Sequence, residues 1–115
     1  EDVSMVDGLG GVVWDGALAL CAHLDSIAEA LPGTCVVELG CGTGLCGVLA
    51  AALGAHTYVT DRETDLAERN AAAATSRGGG GSLEVLRCEW GQPLPTELAR
   101  VVAERRLGLV IGAGV

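Results

Sequence analysis

The residues with the clearest chemical meaning lie in Val36-Val37-Glu38-Leu39-Gly40-Cys41-Gly42-Thr43-Gly44-Leu45-Cys46-Gly47. An acid two positions before the first of three alternating glycines gives the pattern E-x-G-x-G-x-G, from Glu38 to Gly44. Glycines let the backbone turn sharply and let a ligand lie against it without meeting a Cβ. The G-x-G-x-x-G fingerprint of dinucleotide enzymes fails here, because Leu45 stands at its third glycine. An acid at the carboxyl end of the preceding strand would repel a pyrophosphate. It would attract a ligand carrying an ammonium and a sulfonium.

S-adenosylmethionine has both positive groups and no phosphate, so it is the expected cofactor. Asp61 closes the next apolar run, where a carboxylate can accept hydrogen bonds from ribose hydroxyls. Helix N-capping is the competing role for Asp61. Trp90 follows the third apolar run and is placed to stack on an adenine or line its pocket. For Trp90 and Trp14, position alone leaves core packing equally open. Cys41 stands out among the five cysteines because it sits inside the glycine turn; small buried thiols are the reading for the others. No C-x-x-C pair occurs, and His23 and His56 have no metal-ligand spacing to the cysteines, so no metal is expected.

Positioning these groups requires strands alternating with helices. Leu20, Leu24, Ile27 and Leu31 fall on one face of a helix over 17–31, which Pro32-Gly33 ends. Cys35–Leu39 is a first strand, nearly continuous in apolar residues as a parallel strand covered on both faces should be. A helix follows the glycine turn to about Leu53, with Gly54 as its cap. His56–Thr60 is a second strand, and a helix over 62–76 comes next. Gly78–Gly81 with Ser82 resembles a linker inside one sheet. Leu83–Cys88 is a third strand, 96–106 a helix and Leu107–Ile111 a fourth strand. This βαβαβαβ order predicts an α/β, Rossmann-like parallel sheet with right-handed crossovers. A bare fourth strand at the edge leads us to expect further strands beyond residue 115.

Composition bounds the rest. One domain, or part of one, is expected from 115 residues, and half of them are apolar, enough for a core. The formal charge is −8, lysine is absent, and all seven basic residues are arginines with no basic stripe, so a nucleic-acid partner is not expected. Gly, Asp, His and Glu interrupt every candidate membrane span. No basic region followed by an apolar stretch opens the chain, so an intracellular protein is expected.

With these segments in place, the chain resembles the seven-strand, S-adenosylmethionine-dependent protein-lysine methyltransferases that modify non-histone targets such as chaperones. The matching segments are Val12–Ala17, Val37–Leu45, Leu53–His56, Val59–Arg62, Trp90–Gln92 and Leu109–Ala113. The resemblance implies a class I methyltransferase sheet whose first four strands, in order 3-2-1-4, lie in residues 1–115 as the N-terminal part of a single domain. It implies cofactor contacts from Trp14, Gly40, Cys41, Gly42, Asp61, Trp90 and Ala113, beside the acid Glu38. It implies a lysine-bearing protein substrate, a chaperone among the candidates, and action in the cytoplasm or nucleus. Gly114 stands where the family carries a substrate-facing aspartate. No residue is assigned as the catalytic base, since neither histidine falls at the carboxyl end of a predicted strand. The rival readings are methylation of protein arginine or of a small molecule, and a non-catalytic S-adenosylmethionine-binding module.

Overall fold

The strand Cys35–Glu38 (β1) is buried at all four positions, and the sheet is assembled around it. The computed structural model describes residues 15–75 and 81–113. In chain order these form Asp15–Ser26 (α1), β1, Leu45–Ala52 (α2), His56–Asp61 (β2), Asp65–Thr75 (α3), Ser82–Arg87 (β3), Thr96–Ala103 (α4) and Leu109–Ile111 (β4). All strand pairs are parallel and the order is β3-β2-β1-β4, as expected from the alternation.

Adjacent residues of β1 serve opposite faces of the sheet, as side-chain alternation along a strand requires. Val36 packs in a cluster with Leu24 of α1 and Cys46 and Ala50 of α2. Val37 packs on the other face with Leu98 of α4 and Leu86 of β3. β1 therefore has no solvent-exposed face, which is why its sequence shows no alternation.

Several boundaries differ from the sequence reading, each for a local reason. The first helix begins at Asp15 and ends at Ser26, with a 3₁₀ turn at Ala28–Ala30 carrying the chain to Leu31. Helix α3 starts at Asp65 rather than residue 62, because the Asp61 carboxylate accepts the backbone N–H groups of Arg62 and Glu63 and holds them in a turn. Helix α4 stops at Ala103 because Arg105 takes a left-handed conformation. Arg106 N–H then bonds Val101 O and Arg105 N–H bonds Val102 O, the paired closure of a Schellman motif without its usual glycine. The glycine run assigned as a linker lies partly outside the described residues. Its last member, Gly81, has a packing reason, since a Cβ there would come 2.1 Å from Ala55 O.

Candidate functional site

The carboxyl ends of β1 and β2 are neighbours, with Glu38 in register with Val59. The turn between β1 and α2 lies across them. Gly40, Gly42 and Gly44 have φ of 61°, 54° and 81°, all in the left-handed region. The alternation in the sequence is thus a backbone requirement, met at little steric cost only by glycine. Cys41 N–H donates to Thr60 O at 2.9 Å, and Gly44 N–H donates to Cys41 O at 2.8 Å. Asn70 of α3 donates from Nδ2 to Thr43 O at 2.8 Å, tying the turn to the next helix.

Asp61 links the turn to β2. Its Oδ2 accepts Gly42 N–H at 2.9 Å and its Oδ1 accepts Arg62 N–H at 2.7 Å. These bonds set the carboxylate at the sheet edge; they do not cap α3. A carboxylate has roughly four lone-pair sites, so acceptor capacity remains for a ligand's hydroxyls.

Glu38 is turned the other way. It is 4% exposed, and its Oε1 accepts Gly47 N–H at 2.9 Å. Burial, with a smaller contribution from the Asp61 charge, pushes its carboxyl up to about 7, against the opposing pull of the Gly47 bond. Glu38 therefore braces α2 against the end of β1, and of these two acids it is Asp61 that lines the cavity. Gly47 is glycine for want of room: a Cβ would sit 1.9 Å from Val59 Cγ1. Cys41 is also buried, and burial, then the Glu38 and Asp61 charges, push its thiol up to about 12. It is held protonated, the poorly nucleophilic form of a thiol.

A cavity of about 440 Å³ opens at this edge, lined by Gly40, Asp61, Arg62, Cys88, Glu89 and Trp90. The structure thus brings together Gly40, Asp61 and Trp90 of the residues singled out from the sequence. Cys88 N–H donates to Asp61 O at 2.9 Å, which brings the end of β3 to the wall. Trp90 is 64% exposed, so core packing is not its role. Cys41 is buried beneath the turn, Gly42 is half-buried in it, and Ala113 lies half-buried just past the end of β4. Trp14 and Gly114 lie outside the described residues. Arg62, Cys88 and Glu89 were not singled out; their only sequence signal is adjacency to Asp61 and Trp90.

Neither histidine reaches the cavity edge. His23 is exposed in the last turn of α1, and His56 opens β2 at the opposite end from Asp61, bonded to Ser82 Oγ at 3.1 Å. Among the described residues no group of three or more His, Cys, Asp or Glu could hold a metal ion.

The wall suits a nucleoside carrying positive charge. Its volume is within the usual range of small-molecule sites, roughly 300–1,000 Å³. Gly40 presents no Cβ, Asp61 offers a hydroxyl acceptor, and Trp90 offers an open indole face. These features fit S-adenosylmethionine.

Comparison with known proteins finds relatives of this chain. Residues 2–115 match a family described as lysine methyltransferase. Protein N-lysine methyltransferase METTL21A of Danio rerio is 40% identical over 89 residues, 76% of this chain and 41% of that protein. Its namesake in Xenopus tropicalis is 52% identical over 56 residues, 49% of this chain and 26% of that protein. EEF1A lysine methyltransferase 3 of Mus musculus is 36% identical over 84 residues, 73% of this chain and 36% of that protein. The chain thus spans well under half the length of these relatives.

Proposed function

The chain belongs to the lysine methyltransferase family, and from that premise we propose that the protein transfers a methyl group from S-adenosylmethionine to the side-chain amine of a lysine in a protein substrate. The observation that carries this reading is the meeting of Gly40, Asp61 and Trp90 on one cavity at the carboxyl edge of the sheet. Bound there, S-adenosylmethionine supplies a methyl group already activated by a sulfonium.

The chain's own part is binding and alignment, which can lower such a barrier substantially without a covalent role for the protein. Asp61 would accept the ribose hydroxyls, the turn at Gly40–Gly42 would take the ligand against bare backbone, and Trp90 would stack on the adenine. Trp14 and Ala113 join this set by the family resemblance. Glu38 and Cys41 act from behind the wall, Glu38 through its bond to Gly47 N–H and Cys41 through its bond to Thr60 O. Residues 1–115 would be the N-terminal, cofactor-binding part of a single methyltransferase domain.

The substrate class follows from the relatives. One is named for lysine methylation of EEF1A, and the others as protein N-lysine methyltransferases. A chaperone is the target class we favour, and the cytoplasm its place of action.

Isothermal titration with S-adenosylmethionine and NAD in parallel tests the cofactor. Saturable binding of the first and none of the second is expected; the reverse would sink the assignment. Incubation with methyl-labelled cofactor and a cell lysate tests the reaction. Label recovered as methyl-lysine in a protein band is expected. Cofactor binding without any labelled protein would leave a non-catalytic binding module instead.

A further inference from the structure

Two thiols face each other between α1 and α2, away from the cavity wall. Cys21 Sγ and Cys46 Sγ are 3.5 Å apart. Cys46 Sγ–H donates to Ala17 O at 3.3 Å, which leaves the Cys46 sulfur to accept from Cys21. Cys46 is 1% exposed, whereas Cys21 is half-buried and within reach of solvent. One thiol is thus reachable, and the other is enclosed beside it.

We propose that Cys21 and Cys46 form a redox-sensitive modification site, at which a small disulfide such as oxidised glutathione converts the pair into an intrachain disulfide joining α1 to α2. The Cys21 thiolate attacks one glutathione sulfur, breaking its S–S bond and releasing one glutathione thiolate. The Cys46 thiolate then attacks the Cys21 sulfur and expels the second glutathione. The two protein protons pass by way of solvent to the two leaving thiolates. Two protein thiols are oxidised, and one glutathione disulfide is reduced to two thiols.

The division of labour follows from the geometry. Solvent admits the attacking disulfide at Cys21 only. Burial, and then the contact with Cys21, push the Cys46 thiol up, so ring closure is the slower step. Contact between the two sulfurs gives that step a high effective concentration. Because Cys46 is the second residue of α2, the link would pin the helix where it leaves the glycine turn. The proposal does not depend on the cofactor or on methyl transfer.

The test uses the whole protein, treated with oxidised glutathione and then with an alkylating reagent. Trypsin is unsuitable, because Arg62 is the first basic residue and all four cysteines before it stay in one peptide. Cutting after glutamate, at Glu29 and Glu38, and after Leu45 separates Cys21, Cys35, Cys41 and Cys46. The expected result is a linked peptide pair carrying Cys21 and Cys46, several-fold more abundant than any other and released by dithiothreitol. It should vanish in Cys21→Ser and in Cys46→Ala. Oxidation should raise the urea midpoint of the unsubstituted protein and leave that of Cys21→Ser unchanged, which gives a readout even if Cys46→Ala folds poorly. A stable glutathione adduct on Cys21, a link to another cysteine, or an unmoved midpoint would overturn the proposal.

Discussion

Glu38 should make the protein less stable as pH rises, the reverse of a salt-bridged carboxylate. In the fold its carboxyl is pushed from an ordinary 4.5 to about 7, chiefly by burial. Below pH 4.5 it is protonated in both folded and unfolded chains and contributes no pH dependence. Between 4.5 and 7 the folded protein keeps a proton that the unfolded chain has released, so stability falls as pH rises. Above 7 both states are ionised and the full penalty remains. At 1.36 kcal/mol per pH unit, that penalty is about 3 kcal/mol, a large share of a typical stability of about 5–15 kcal/mol. Glu38→Gln removes the titration and keeps an oxygen to accept Gly47 N–H. Urea unfolding of both proteins at fixed ionic strength isolates the effect, because titrating groups that do not feel the Glu38 charge cancel in the difference. The variant's advantage should grow by about 3 kcal/mol between pH 4.5 and 8, or about 2 M in urea midpoint at a slope near 1.5 kcal/mol per M. A difference that is flat with pH would refute the reasoning and mean that Glu38 is hydrated in the folded protein.

Asp61→Asn should destabilise the protein by about 1–3 kcal/mol even without cofactor, measured by urea unfolding. The Gly42 N–H bonds one carboxylate oxygen and the Arg62 and Glu63 N–H groups the other, and asparagine keeps only one of these acceptors. Trp90→Ala should leave stability within about 0.5 kcal/mol, since the indole is largely exposed. The same change should weaken S-adenosylmethionine binding in titration calorimetry by about 1–3 kcal/mol, the usual worth of stacking a base on an aromatic ring. Gly47→Ala should destabilise by about 1–3 kcal/mol in thermal melts despite alanine's better helix propensity, because its Cβ would overlap Val59.

The order of elements, the parallel sheet and the turn at its centre were legible in the residues alone, because each leaves a local mark. Unbroken apolar runs signal strands covered on both faces. Gly54 marked the end of α2, and the structure shows it at φ 99° closing that helix. The end of α4 left no such mark, since Arg105 takes the left-handed position that usually calls for glycine. Glu38 and Asp61 could be read as two acids at one sheet edge, but not which of them faces solvent. Tertiary packing decided that: α2 lies over β1 closely enough for Gly47 to take the Glu38 carboxylate, while Asp61 bonds the turn and lines the cavity. Two further cavity residues, Cys88 and Glu89, follow the end of β3, whose distance from Asp61 is set by strand register and not by anything local in the chain. The thiol pair of Cys21 and Cys46 is likewise a product of helix packing, since no spacing rule links residues on two helices separated by a strand and a turn.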